Sequence, residues 1–359
     1  MGLFGGRARA QAQSAEYRAW ADEPVLRGRA SVVKPDGADW VVILLVVGLL
    51  SLGALMVYSA SISLADSPKY NTTPYHFLVR HLLFIAMSLA MGCVVYRIPM
   101  RVWNKLAPFL VALAIVLLCL VLVPGVGKSV NGSRRWIDLG FLSLQVTELA
   151  KFAALVGAAY FTVQRQDYMH SFTKGLGPMA VVMCFVSALI SLQPDLGAIM
   201  VIVCIAMGVL FLGGLNVRIF IVVSVAVVLV VALMIYDSPW RVQRVMAYLD
   251  PWSSEYALDK GYQLSHSLIA FGRGELFGVG LGASVEKLHY LPEAHTDFIL
   301  AVVGEELGFV GVVITLTAYY WLVRRAFAIG RQAIKLDRVF SGLVAEGVGL
   351  YTSHHDTVS

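Results

Sequence analysis

The chain has 359 residues, of which 58% are hydrophobic and 14% are charged, and its formal net charge is +5 at pH 7. This composition is far more apolar than that of a soluble globular protein, so the fold class predicted is an all-α, polytopic bundle of transmembrane helices. Nucleic acid is excluded as a partner, because the basic residues form no face on a polar folded module.

Residues 1–38 are polar, rich in alanine and arginine, and lack a regular apolar period, which predicts a mobile cytoplasmic tail. They contain no apolar core of a signal peptide, so we expect the first span to direct insertion. The cysteines all lie inside apolar segments, and neither a disulfide framework nor a thiolate metal site is predicted. These cysteines are Cys93, Cys119, Cys184 and Cys204.

About eight apolar stretches are long enough to cross a bilayer. They cover residues 39–60, 76–96, 106–124, 145–164, 177–193, 195–214, 217–237 and 296–323. Lys and Arg are concentrated in the segments that lie inside if the N-terminus is cytoplasmic, as the positive-inside rule requires. The long segment 238–295 is then expected to be extracytoplasmic.

The segment 238–295 is rich in Leu, Tyr, Phe and Gly, which indicates a structured loop. Apolar residues at helical spacing predict a short interfacial helix over 240–249 and a second helix over 262–271. The glycines within 272–282 allow tight bends or a close approach to a ligand. Their likeness to a dinucleotide-binding fingerprint is superficial, because no strand precedes them and no βαβ unit surrounds them.

The segment from Leu291 to Glu306 places ionisable residues at the mouth of the eighth span and carries two carboxylates into it. An unpaired charge at that depth costs at least a few kcal/mol, which makes these residues candidates for function. We expect Pro292 to set a turn, Thr296 to be the helix N-cap and Asp297 to lie in the first turn, where the helix dipole favours an anion. Asp297 is therefore the first candidate for chemistry.

Further ionisable residues are predicted at membrane depth. Glu148 and Lys151 are three positions apart on the fourth span, so they share a helix face and can pair. Glu305 lies about 80° around the eighth helix from Asp297 and is expected to share its cavity, whereas Glu306 is expected to face another helix. The alternative to a functional role is a structural one, in which Glu148, Lys151 and Glu305 hold the helices of the bundle together.

Two outer connections carry further charged residues. Asp195 stands at the start of the sixth span, where capping of that helix is the favoured interpretation. Arg134 and Arg135, between the third and fourth spans, are either interface anchors or contacts for an anion. Because all of this unusual polar chemistry collects on one side of the membrane, a carrier with sites near the midplane is disfavoured.

These residues resemble the SEDS family (shape, elongation, division and sporulation), polytopic glycosyltransferases that polymerise bacterial cell-wall glycan from lipid II. Leu291 to Gly308 is the most specific match, and Ala294 together with the long N-terminal tail is closer to the division members than to the elongation members. The matching segments are 56–61, 131–137, 145–151, 193–197 and 261–308.

The resemblance implies that Asp297 is the family's essential aspartate and that Glu148 and Lys151 are its acidic and basic pair. It also implies a need for a divalent cation, Mg²⁺ or Mn²⁺, with Asp297 as a possible ligand. The partners implied are a class B penicillin-binding protein and other divisome membrane proteins. The place implied is the division septum of a bacterial cytoplasmic membrane, among membrane lipids. A lipid II flippase and a non-catalytic divisome scaffold are the competing functions.

Inverting transfer needs a base for the acceptor hydroxyl and cations for the leaving diphosphate. Asp297 is assigned the base role, with metal or diphosphate-metal ligation as its alternative. Lys287 is expected to be a loop cation that water screens, and so to matter less than Lys151. The substrate-binding candidates are Lys151, Glu148, Arg273, Lys287, Glu305, Arg134 and Arg135.

Two features depart from the family pattern. Gln145 to Glu148 reads Gln-Val-Thr-Glu, where the family usually has Gln-Pro-Ser-Glu, but the ionisable pair is kept. The family has ten spans, whereas a ninth apolar run begins near Leu343 and gives way at Tyr351 to a short polar tail, 351–359. The transmembrane domain is thus predicted over 39–350, and we expect a C-terminally truncated member that polymerises poorly or not at all.

Overall fold

The structure is a computed structural model that describes residues 38–62, 73, 75–130, 133–138, 140, 143–288, 290–292, 294 and 296–358. Nearly all of the predicted N-terminal tail lies outside these residues. The helices are α1 (Trp40–Ser61), α2 (His76–Arg97), α3 (Met100–Leu122), α4 (Val146–Gln164), α5 (Gly177–Ser191), α6 (Leu196–Leu212), α7 (Val217–Tyr236), α8 (Pro239–Leu249), α9 (Tyr262–Gly274), α10 (Ile299–Lys335) and α11 (Val339–Val358).

The polytopic all-α fold class is confirmed. Among the described residues, seven helices are long and apolar enough to cross a membrane, namely α1 to α5, α7 and α10, with α5 counted from Phe172. The shorter apolar helix α6 has 17 residues. Together these eight helices match the eight predicted spans, and α8 and α9 match the two predicted helices of the long loop.

A small antiparallel sheet, absent from the sequence-based prediction, lies between α3 and α4. Its strands are β1 (Gly127–Val130), β2 (Ser133–Asp138) and β3 (Ser143–Gln145), in the order β1-β2-β3. Trp136 of β2 pairs with Lys128 on one side and with Gln145 on the other. Because β3 leads directly into α4, the sheet fixes the start of the helix that carries Glu148 and Lys151.

The helix α4 lies at the centre of the bundle, and small residues allow its neighbours to approach closely. Ala158 and Ala159 are fully buried. The α-carbon of Gly157 lies so near α3 that an added methyl group would meet Val111 at 2.5 Å. Close packing of this kind drives helix association in membranes, because an apolar side chain gains little by moving from lipid to a protein contact.

The helix α10 is broken at Gly308, which has φ 70° and ψ −168°. The broken turn frees backbone groups, and the segment after α9 takes them up. The carbonyls of Glu305 and Glu306 accept hydrogen bonds from the N–H groups of Val279 and Gly280, at 2.9 and 3.1 Å. These two carbonyls at the break are therefore hydrogen bonded within the protein, as non-helical backbone at membrane depth requires.

This backbone-to-backbone contact explains two glycines of the long loop, Gly274 and Gly278. A methyl group on Gly278 would lie 2.1 Å from the carbonyl oxygen of Glu306. The close approach that the sequence predicted at this segment is thus an approach to α10. No strand other than β1 to β3 occurs among the described residues, in agreement with the rejection of a dinucleotide fold.

The last helix, α11, runs from Val339 to Val358 and packs on α10, α4 and α6. A methyl group on Gly347 would lie 3.0 Å from Leu155 of α4 and 3.1 Å from Val209 of α6. The sequence pattern predicts that the apolar run ends near Tyr351, but the backbone stays helical through the polar residues that follow. Tyr351 is thereby held against α4.

Candidate functional site

Asp297 lies in a turn immediately before α10, and its side chain is exposed. The helix begins at Ile299, because the N–H groups of Ala301 and Val302 bond to the carbonyl of Phe298, at 3.0 and 3.4 Å. Phe298 is therefore the N-cap residue, and it makes no side-chain capping bond. The prediction that Thr296 is the N-cap and that Asp297 lies in the first helical turn is wrong by two residues.

Asp297 stands at a cavity of about 450 Å³ between α1 and α10. Thr296 and Asp297 contribute polar groups, and most of the wall is apolar. The helical wall residues are Leu49, Leu52, Gly53, Met56, Ile299, Leu300, Val303, Thr315, Leu316 and Tyr319. An exposed carboxylate beside an apolar wall suits an amphipathic substrate.

Glu305 does not line this cavity, so the prediction that it shares the cavity of Asp297 is wrong. Its side chain is fully buried and accepts hydrogen bonds from the N–H groups of Val285 and Glu286, at 2.9 and 3.3 Å. The hydroxyl of Ser284 donates a further bond. These donors point Glu305 at the long loop and make it a fixed attachment for that loop.

Arg273, at the end of α9, lies at the edge of this buried contact. Its Nε atom is 3.7 Å from Oε1 of Glu305, and its side chain is 45% exposed. The rest of the guanidinium can therefore reach a ligand in solvent while one nitrogen faces a buried carboxylate. Arg273 remains a candidate for binding an anionic substrate.

Lys287 forms a buried ion pair with Glu306, the second carboxylate of α10. The two charged atoms are 2.6 Å apart, and the side chains are 2% and 0% exposed. Ser59 of α1 donates to Glu306 at 2.7 Å and accepts from Lys287 at 3.0 Å. The prediction that Lys287 is a water-screened loop cation is wrong, because the loop folds inward and places the ammonium group of Lys287 against Glu306.

Glu148 and Lys151 pair on α4 at 2.6 Å, as their spacing predicts. Lys151 is nearly buried, with 11% of its side chain exposed, whereas Glu148 is 39% exposed. Tyr351 of α11 donates its hydroxyl to the other oxygen of Glu148 at 2.9 Å. This third member was missed, because no local pattern around Tyr351 indicates that its helix returns to α4.

Arg135 and Asp195 join two outer connections. Nη1 of Arg135 lies 2.9 Å from one oxygen of Asp195. The other oxygen of Asp195 accepts from the N–H of Ala198 at 3.1 Å, so Asp195 caps α6 as expected. The ion pair of Arg135 with Asp195 thus links β2 to the start of α6. Arg134 is exposed and makes no ion pair among the residues that the structure describes.

His266 and Glu286 form a further contact that the sequence did not indicate. Nδ1 of His266 on α9 lies 2.6 Å from Glu286 Oε2, and the ring of Tyr262 lies 4.2 Å from the His266 ring. The backbone of Glu286 is the same backbone that Glu305 binds. The segment 284–287 is therefore held from α9, α10 and α1 at once, and Asp297 follows it ten residues later.

The structure does not bring all the predicted site residues into one described cavity. The wall of the Asp297 cavity includes neither Glu148 nor Lys151. Within the described ranges, no group of three or more His, Cys, Asp or Glu side chains could hold a metal ion.

Comparisons with known proteins agree with this architecture. The family described as Cell cycle protein, which groups FtsW, RodA and SpoVE, matches residues 39–358. The probable peptidoglycan glycosyltransferase FtsW of Burkholderia thailandensis is 54% identical over 314 residues, which cover 87% of this chain and 68% of that protein. The corresponding protein of Polynucleobacter necessarius is 52% identical, with 87% and 74% covered.

Two solved structures share the fold. One belongs to a study of the structural coordination of polymerization and crosslinking by a peptidoglycan synthase complex. It has a TM-score of 0.67 at 27% identity and covers 87% of this chain and 83% of its own. The other is Rod shape determining protein RodA of Thermus thermophilus, with a TM-score of 0.57, 28% identity and coverages of 87% and 81%. The chain therefore belongs to the FtsW, RodA and SpoVE family of cell cycle proteins, multi-pass membrane proteins with the SEDS fold.

Proposed function

We propose that this chain is a peptidoglycan glycosyltransferase that polymerises lipid II into glycan strands on the outer face of the cytoplasmic membrane during cell division. The observation that carries the proposal is the exposed carboxylate of Asp297 at the mouth of a largely apolar cavity. The curated relatives described above are named for this activity, at identities of 52 to 54%.

In the proposed reaction, Asp297 takes the proton from the sugar hydroxyl of the acceptor. The hydroxyl oxygen then bonds to the anomeric carbon of the donor as that carbon's bond to the diphosphate breaks, with inversion. Undecaprenyl diphosphate leaves. A positioned base of this kind contributes roughly 10²- to 10⁴-fold to the rate.

The leaving diphosphate needs positive charge. The half-exposed Arg273 is the candidate that the geometry favours, and Arg134 is available at the surface. Lys151 is proposed from the resemblance, since its ammonium group pairs with Glu148 and it does not line the Asp297 cavity. Lys287 is not a candidate for this role, because Glu306 and Ser59 already bind its ammonium group. Its proposed task is to hold the loop that leads to Asp297.

We infer that a divalent cation assists the reaction. Mg²⁺ in enzymes is often bound by one or two carboxylates together with substrate phosphates, and Asp297 offers one such carboxylate at the cavity. When bound, the cation would neutralise charge on the diphosphate. Asp297 would then hold the cation or remove the proton, which are separable roles in kinetic tests.

We also propose a class B penicillin-binding protein as the partner, among other divisome membrane proteins at the septum. One similar solved structure comes from a complex that couples polymerisation with crosslinking, which supports a crosslinking partner. The N-terminus is proposed to be cytoplasmic, because Lys and Arg follow the positive-inside rule in that orientation.

The test is synthesis of glycan from purified lipid II by the chain with its partner, with the products separated on a gel. A parallel vesicle assay should follow lipid II movement between leaflets. Glycan polymer without lipid movement supports the enzyme. Movement of lipid II without polymer supports a flippase and refutes the proposal.

A further inference from the structure

A second cavity lies at the far end of α10 from Asp297, and it has a volume of about 750 Å³. It is formed by the turn between α2 and α3, the end of α4 and the turn between α10 and α11. These turns join the ends of helices, the level at which lipid headgroups meet a membrane protein.

Two guanidinium groups, those of Arg101 and Arg338, line the second cavity. Neither Arg101 nor Arg338 forms an ion pair within the described part of the chain, and both side chains are exposed. Asp337 is the acidic residue in the wall. Cationic side chains thus outnumber acidic ones here, and the guanidinium geometry suits a phosphate group.

Two helices also begin at this cavity. Pro99, Met100 and Arg101 form the start of α3, and Pro99 provides no side-chain cap. Val339 and Phe340 form the start of α11 at the opposite wall. The first N–H groups of a helix lack intrahelical acceptors, and the helix dipole is positive there, so both starts add to the attraction for an anion.

The remaining wall indicates which anion fits. The Oδ1 atom of Asn104 is buried and has no hydrogen-bond partner among the residues that the structure describes. This atom accepts hydrogen bonds, and an ionised phosphodiester has no hydrogen to donate, so a ligand that carries a donor beside its phosphate, such as a hydroxyl, suits this wall. Val163 and the buried ring of Phe340 supply apolar surface beside the charges. An amphipathic ligand matches this wall better than free phosphate does.

We propose that this cavity binds the headgroup of an anionic phospholipid that carries hydroxyl groups, with phosphatidylglycerol as the simplest example. The phosphodiester lies between Arg101 and Arg338, and a glycerol hydroxyl donates to Asn104. Basic pockets between helices at a membrane face are known to select anionic headgroups in this way. The site is separate from the proposed catalytic cavity.

Native mass spectrometry of the purified full chain measures this binding, with phosphatidylglycerol, phosphatidic acid, phosphatidylcholine and inorganic phosphate as separate probes. We expect phosphatidylglycerol to bind best. The double variant Arg101→Ala/Arg338→Ala should weaken that binding about tenfold or more, the equivalent of about 1.4 kcal/mol. The control Arg218→Ala/Lys335→Ala removes the same charge from residues outside the cavity wall and should bind as the parent does.

A third variant, Asn104→Leu, keeps both arginines and tests the hydroxyl contact. It should lose the preference for phosphatidylglycerol over phosphatidic acid while still rejecting phosphatidylcholine. The proposal is overturned if the arginine variant and its control bind phosphatidylglycerol equally. Binding of inorganic phosphate alone, or equal binding of phosphatidylcholine, overturns it as well.

Discussion

Replacing Lys287 by methionine tests the buried ion pair that holds the long loop. Methionine keeps most of the side-chain volume but removes the ammonium group. The carboxylate of Glu306 stays fully buried and accepts a hydrogen bond from Ser59. Removing one partner of a buried pair typically costs about 3–5 kcal/mol, because the remaining charge is uncompensated. We expect Lys287→Met to lower the free energy of unfolding by that amount.

The assay is denaturant unfolding of the purified protein in detergent micelles. Lys128→Met is the matched control, because Lys128 pairs with Asp138 at 3.3 Å and both side chains are about half exposed, at 59% and 47%. Such a surface pair contributes little to stability, because water and salt screen it. The control should therefore unfold almost as the parent does.

The double variant Lys287→Met/Glu306→Leu removes both charges and should recover most of the lost stability, since a buried pair is often replaced by apolar residues without loss. Two results would refute the reasoning. One is an effect of Lys287→Met no larger than that of Lys128→Met. The other is a double variant as unstable as the single one.

Three further outcomes are expected. Gly308→Ala should destabilise the fold by about 1–3 kcal/mol, because Gly308 has φ 70° and a methyl group would meet backbone at 2.3 Å. The control Gly92→Ala, where a methyl group would enter open space, should not destabilise the fold, and equal melting temperatures of the two variants would contradict this reasoning. Tyr351→Phe should lower the free energy of unfolding by about 0.5–1.5 kcal/mol and slow polymerisation, because Glu148 loses a hydrogen-bond donor. An unchanged polymerisation rate would exclude Tyr351 from the site. Chelation of divalent cations should stop polymerisation and added Mg²⁺ should restore it, whereas undiminished synthesis in chelator would remove the metal from the proposal.

The spans were predictable because their signal is carried by composition within each segment. A helix in lipid must satisfy its own backbone, so length and hydropathy alone locate it. The capping of α6 by Asp195 and the pairing of Glu148 with Lys151 were predictable for a similar reason. Each depends on residues at most three positions apart.

Contacts between distant segments could not be derived in this way. Lys287 stands in a loop by sequence, and only the fold of that loop onto α10 and α1 reveals that it is buried. Glu305 was placed by helical angle, but the break at Gly308 and the donors of 284–286 decide where its oxygens point. Tyr351 reaches Glu148 across more than 200 positions of sequence.

The most direct test of the central claim is the rate of lipid II polymerisation by Asp297→Asn in complex with the partner. Asparagine keeps the volume of the side chain and removes its charge and its ability to accept a proton. Asp259→Asn changes an exposed aspartate in the same loop and serves as the control. The account predicts no detectable polymer from Asp297→Asn and a normal rate from Asp259→Asn, with both variants folded and bound to the partner. Polymer made at the normal rate by Asp297→Asn would contradict it.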